Sequence, residues 1–133
     1  MSDKKPTLDD PVEGQPQYGS CWTINNSHLR MAEFQPQSGT HPAACVQEKI
    51  SKHLPTLITV PRSTEPQNCN DELAYETAAL CTPQLKRKGW FLTRFAKPVL
   101  KTAYEGFSHR VFQGQLEARD IAGLRAKLAL PRL

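Results

Sequence analysis

The stretch KRKGWFLTRFAKPVLKTAYEGFSHRVF, residues 86–112, combines the densest bulky apolar residues of the chain with its densest positive charge. Its periodicity decides the fold class. At about 100° per residue, Leu92, Phe95, Ala96, Val99, Leu100, Ala103, Phe107 and Val111 share one helical face. Arg87, Arg94, Lys97 and Lys101 line the flank beside it. The spacing therefore predicts an amphipathic helix with a basic back. Pro98 lacks an N–H and its ring opposes the carbonyl of Arg94, so a kink or break is expected near Ala96 and Lys97.

The flanking segments extend the helical pattern. On the C-terminal side, Gly114 marks a boundary, and QLEARDIAGLRAKLAL (residues 115–130) predicts a last helix with Leu116, Ile121, Leu124 and Leu128 inward. On the N-terminal side, Asn70 is placed to cap NDELAYETAAL, with Asp71 and Glu72 in the first turn where the helix dipole favours them. THPAACVQEKISKHL (residues 40–54) predicts another helix, with Thr40 as cap, Pro42 in the first turn, and Val46, Ile50 and Leu54 as its stripe. TLITV (residues 56–60), fenced by Pro55 and Pro61, predicts an edge strand or an extended crossing. Residues 20–39 alternate loosely and predict one or two short strands, or an arm pinned by Trp22 and Phe34, with a turn at Asn25-Asn26. Residues 1–20 carry Pro6, Pro11 and Pro16 among acidic and polar residues and predict a disordered leader. The expected fold is mainly α. It is a single small domain over residues 21–133, of about four helices with one or two strands.

Charge is distributed unevenly. Residues 1–44 and 45–85 each hold three Lys/Arg against five Asp/Glu, whereas residues 86–133 hold eleven against three. A solubilising helix face usually mixes signs and forms i, i+4 pairs. Lys86, Arg87, Lys88, Arg94, Lys97 and Lys101 instead form a run without a carboxylate until Glu105. Such a row can follow phosphates, each contact releasing counterions, and Trp90 beside it is placed to stack on an exposed base. An acidic protein surface or an anionic membrane surface would meet the same charge, and a plain solvated helix would carry it with no partner.

Motifs for chemistry are sparse. Cys21, Cys45, Cys69 and Cys81 are separated by 23, 23 and 11 residues, with no Cys-x₂₋₄-Cys clip of the kind on which zinc sites rest. His41 and Cys45 would share a helical face at i, i+4, yet two ligands do not make a site. The chain contains no phosphate-cradling glycine loop, no H-E-x-x-H and no G-x-S-x-G. Asp9-Asp10 and Asp71-Glu72 are explained by solvation and by helix-start charge. No cofactor is expected, the thiols are expected to be reduced, and a catalytic site would have to be assembled in space.

Residues 120–130, DIAGLRAKLAL, resemble the opening helix of Xre-type helix-turn-helix regulators in their I-x-x-L-R-x-x-L-x-L spacing. No recognition helix follows them in the chain, and no residue role is carried over. The sequence thus leads to a non-enzymatic accessory or regulatory protein whose basic C-terminal helices (residues 86–133) contact a polyanion, foremost nucleic acid. The alternative is a protein–protein adaptor or small subunit docking through the basic helix and the N-terminal arm. Without an apolar leader or an apolar run of ~18 residues, a soluble cytoplasmic protein is expected.

Overall fold

A computed structural model describes residues 16–31, 39–51, 53–77, 88–105 and 112–130. Among them seven strands form one antiparallel sheet that curls into a half-barrel. The strands are β1 (Ser20–Asn25), β2 (Thr40–Cys45), β3 (Thr56–Ser63), β4 (Ala74–Thr77), β5 (Gly89–Leu92), β6 (Lys97–Leu100) and β7 (Phe112–Gln115). The helices of the described residues are α1 (Thr102–Glu105) and α2 (Ala118–Leu128). The expectation of a mainly α domain is overturned. Among the described residues the last predicted helix is present, α1 is a single turn within the stretch predicted as an amphipathic helix, and no helix is long and apolar enough to cross a membrane.

The strand order is β4-β5-β3-β2-β1-β7. β6 lies on the same edge of β3 as β5, pairing with its first half while β5 pairs with its second. Residues 89–100 therefore run along β3 as one path with an interruption. The register moves from Arg62↔Phe91 to Thr59↔Lys97, so two residues of β3 face five of the opposite path. The excess is taken up by a 3₁₀ turn at Thr93–Phe95.

Two prolines fit this arrangement. In an antiparallel ladder, successive residues turn their backbone groups to alternate sides. Ile58 faces β2, because its carbonyl accepts from Val46 N at 2.8 Å and its N–H donates to Gln47 Oε1 at 3.1 Å. Pro98 is paired opposite Ile58, so its backbone points away from β3 to the open edge. Its missing N–H weakens no ladder there, and denies a donor to any further strand. Pro61, three residues beyond Ile58, faces the other way, where the Thr93–Phe95 turn has left the ladder. Pro98 was expected to kink a helix and instead ends the sheet.

Both faces of the sheet's centre are covered, so its buried segments show no polar side. Trp22 and Ile24 of β1, Ala43 and Cys45 of β2, Leu57 and Val99 pack with Leu29, Ala103 and Tyr104. The Trp22 and Tyr104 rings meet edge-on, with centroids 5.4 Å apart. On the opposite face Cys21, Ala44, Val46, Val60 and Phe91 pack with Leu116 and Leu124. The apolar face predicted for residues 92–111 is thereby divided. Leu92 and Phe95 pack with Ala74 and Trp90, Val99 and Ala103 join the Trp22 cluster, Ala96 joins the α2 side, and Leu100 is 51% exposed. Phe107 and Val111 lie outside the described residues.

β2 and β4 stand within the stretches predicted as helices at 40–54 and 70–80, of which residues 52 and 78–80 lie outside the described residues. TLITV becomes most of β3, a central strand rather than an edge. Of the predicted leader, residues 1–15 lie outside the described residues, whereas Gln17 is buried and its N–H donates to Ser20 Oγ at 2.9 Å.

α2 follows β7 and lies against β4, at the other end of the strand order. Tyr75 of β4 donates its hydroxyl to Asp120 Oδ1 at 2.8 Å, and Leu124 is fully buried. The Tyr75 ring presses on Gly123, where a Cβ would stand 2.1 Å from Tyr75 Cε1. Alanine usually improves a helix over glycine by about 1 kcal/mol. Gly123→Ala is expected to do the reverse here, lowering stability by ~1–3 kcal/mol in urea unfolding because the ring has to be displaced. A stabilised variant would show that α2 does not seat against β4 in this way.

Candidate functional site

The six basic residues singled out in the sequence do not form one ridge. Lys86 and Arg87 lie outside the described residues. Lys88 and Arg94 stand beside carboxylates contributed by β4 and the loop before it. Lys88 Nζ is 3.9 Å from Glu76 Oε1 and 5.9 Å from the centre of the Trp90 ring. Arg94 holds Asp71 through two bonds, Nη2 to Oδ1 at 2.7 Å and Nε to Oδ2 at 3.2 Å. That bidentate grip holds the Asp71 carboxyl below the usual carboxylate range, and the N–H of Leu73 adds to the effect.

Lys97 and Lys101 are placed differently. β6 and the residue after it turn both side chains to the Val99 side, where two loops return across the sheet. Lys97 Nζ donates to the carbonyl of Arg30 at 2.7 Å, and Lys101 Nζ donates to the carbonyl of Ser51. A carbonyl fixes an ammonium but leaves its charge uncancelled. Among the described residues neither lysine is paired with a carboxylate.

The same loops bring further cations to this rim. Arg30 is exposed beside Lys97, and Lys49 and His53 are exposed on either side of Ser51. Glu48, next to Lys49, is engaged elsewhere: Arg125 of α2 grips it at 2.9 and 3.0 Å. Arg30, Lys49 and His53 escaped the sequence reading because they belong to segments that are acidic on balance. Their loops meet β6 only in the fold, where the Arg30 and Ser51 carbonyls accept from Lys97 and Lys101.

Trp90, the expected stacking residue, is 6% exposed, with Ala74 and Leu92 packed around it and Lys88 over its ring. Its side chain belongs to the interior. It also forms part of a cleft of about 440 Å³ with Cys69, Asp71, Glu72, Tyr75 and Glu76. The chain's own cations already occupy the border of this cleft. Arg94 is on Asp71, Lys88 is near Glu76, and Lys127 Nζ donates to the carbonyl of Glu72 at 2.7 Å.

The thiols are not gathered. Cys21 and Cys45 lie on opposite faces of the sheet, and burial pushes their pKa up to about 12 and about 11. Thiols held protonated in this way are poor nucleophiles and poor ligands near neutral pH. Cys69 is exposed, and Cys81 lies outside the described residues. His41 and Cys45 are on a strand rather than a helix, so four residues separate their backbones by ~13 Å. His41 makes a 2.6 Å contact with Asn26 Oδ1 instead. Among the described residues no three His, Cys, Asp or Glu side chains converge as metal ligands.

No protein-family model matches the chain, and no curated protein matches it in sequence. A functional reading therefore rests on the residues themselves.

The Asp71–Arg94 grip joins the 3₁₀ turn of Thr93–Phe95 to the segment before β4, and makes an acid-dependent contribution. A carboxyl depressed by folding adds stability above its unfolded pKa, and the contribution is lost as the pH falls through the folded value. Asp71→Asn is expected to lower stability by ~0.5–1 kcal/mol at pH ~7, the partly exposed guanidinium limiting the effect. The difference from wild type should narrow in acid, as the pH falls below the unfolded value of ~3.9 and through the depressed folded one. Urea titrations at neutral and acid pH measure it, and a gap that persists in acid would place the effect in packing rather than in charge.

Proposed function

We propose that this protein is a non-enzymatic accessory binding protein, and that its ligand is a polyanion, foremost nucleic acid, held on the rim of Arg30, Lys49, Lys97 and Lys101. One observation carries the reading. Lys97 and Lys101 are positioned by backbone carbonyls while no described carboxylate cancels their charge. The contrast with Lys88 and Arg94, which the same stretch supplies to carboxylates, separates charge used for structure from charge left for a partner. Ammonium groups that are already ordered lose little side-chain entropy when a phosphate arrives. A cytoplasmic location, where nucleic acid is within reach, belongs to this reading.

An adaptor docking on an acidic protein surface is the second reading. It is favoured by Leu100, which is 51% exposed on the other side of β6 and offers an apolar contact beside the cations. Strand addition at that edge is weakened, because Pro98 withholds one of its backbone donors.

The test is the salt dependence of binding to a mixed-sequence duplex. Replacing Lys97 and Lys101 together by Gln should leave the fold intact and flatten the slope of log affinity against log salt by about two, at roughly 0.9 for each phosphate no longer neutralised. Arg119→Gln removes an exposed charge on α2 away from the rim and should not change the slope beyond experimental scatter. An unchanged slope in the double variant, or an equal effect in the Arg119 variant, would reject the rim. Absence of binding by the wild type at low salt would leave the adaptor reading in its place.

A further inference from the structure

The cleft at β4 has a chemistry of its own, apart from the basic rim. Ala74, Tyr75 and Glu76 all border it. Successive residues of a strand turn to opposite faces of the sheet, so the cleft follows the outer edge of β4 and not one face. β4 ends the strand order, and β5 is its one strand partner among the described residues. At about 440 Å³ the space is of the size that holds a small ligand or the end of a peptide.

A polar atom without a partner faces this space. Trp90 is 6% exposed and stands opposite Glu76 in the β4–β5 ladder. Trp22, the other tryptophan, donates its indole N–H to Ser20 Oγ at 2.8 Å. The Trp90 indole N–H has no acceptor among the described residues. It is not sealed in, because the enclosed side-chain atom left unpaired among those residues is the Tyr18 hydroxyl. The Trp90 N–H therefore meets open space, and the space that Trp90 borders is the cleft. An indole N–H donates and cannot accept, so the ligand that suits it carries a carbonyl or carboxylate oxygen.

The carboxylates of the cleft need the opposite partner. Asp71 is already held by Arg94 through two bonds. Glu72 and Glu76 are exposed. Lys127 Nζ donates to the backbone carbonyl of Glu72, whose carboxylate is in no ion pair among the described residues. Lys88 stands 3.9 Å from Glu76 with both side chains more than half exposed, a contact that an incoming cation can replace at little cost. Two carboxylates thus share the cleft with an N–H donor, one of them directly across the ladder from it. The amino end of a peptide presents the matching pair, an α-ammonium and beside it the carbonyl oxygen of the first residue. A lysine side chain has the cation without the acceptor, and a phosphate has the reverse.

We propose that the cleft along β4 binds the amino end of a peptide, with its ammonium on Glu72 and Glu76 and its first carbonyl accepting from Trp90 Nε1. The open edge of β4 leaves room for the peptide to continue.

The experiment follows the indole N–H signals of Trp22 and Trp90 in the full-length, nitrogen-15-labelled protein at pH ~6.5, where an α-amine is protonated. Alanyl-alaninamide is the probe. It is expected to move the Trp90 signal saturably and to leave that of Trp22, already bonded to Ser20, in place. Trp90→Phe identifies the signal by its loss. Acetylating the amine of the probe should raise the dissociation constant at least about tenfold, the effect of losing a charge-assisted bond. Changing Glu72 and Glu76 together to Gln should do the same. Both glutamates are exposed, and an unmoved Trp22 signal shows that the double variant is folded. A Trp90 signal that stays in place, equal movement of both signals, or binding indifferent to acetylation or to the double variant would overturn the proposal.

Discussion

β3 is the constraint around which the chain is arranged, because a single strand must satisfy two partners on one edge. Its second half is paired with β5 and its first half with β6, while β2 pairs with its middle, Thr59 to Pro61, on the other side. This works only if the opposite path can leave the ladder and return. The 3₁₀ turn at Thr93–Phe95 provides the departure, and Pro61, which has no N–H to be stranded, stands opposite it. Thr93 then secures the turn by donating its hydroxyl to the carbonyl of Leu73, so the interruption is held in place from β4's side. The direction of β6, and with it the placement of Lys97 and Lys101, follows from that one break in register.

The helical reading of residues 86–112 fails for a physical reason. Strands buried on both faces show no alternation of polar and apolar residues, so the period that identifies a strand is erased. Leu92, Phe95, Ala96 and Val99 match a helical face by spacing, yet they serve three separate clusters. β2 is hidden in the same way: Ala43, Ala44, Cys45 and Val46 are all buried, and small residues of good helix propensity fill both sides of it. What is legible has an unambiguous local signature. The β-branched run of residues 56–60 marks β3, and Leu116, Ile121, Leu124 and Leu128 mark the inward face of α2. Pro98 and Gly89 carry the correct message within the misread stretch, since each is a poor helix residue.

The candidate site is half visible for a different reason. Sequence counts charges but does not pair them. Lys97 and Lys101 can be named from the basic run, but their distinction from Lys88 and Arg94 depends on Glu76 and Asp71, which lie 12 and 23 residues away along the chain. Arg30, Lys49 and His53 join only because loops return over β6. The positive tail is consequently divided, one part tying the sheet to its own acidic segment and the other facing outward.

The docking of α2 also determines when one face of the sheet is closed. Leu116 and Leu124 fill the face lined by Cys21, Ala44, Val60 and Phe91, residues made much earlier in synthesis. β1, the first of the described strands along the chain, waits for β7 to cover its outer edge. A nascent chain in which β7 and α2 have yet to be made therefore carries an open apolar trough and an unpaired strand edge. Such a species is a natural client for chaperones, and its dependence on long-range pairing places it among slow-folding topologies.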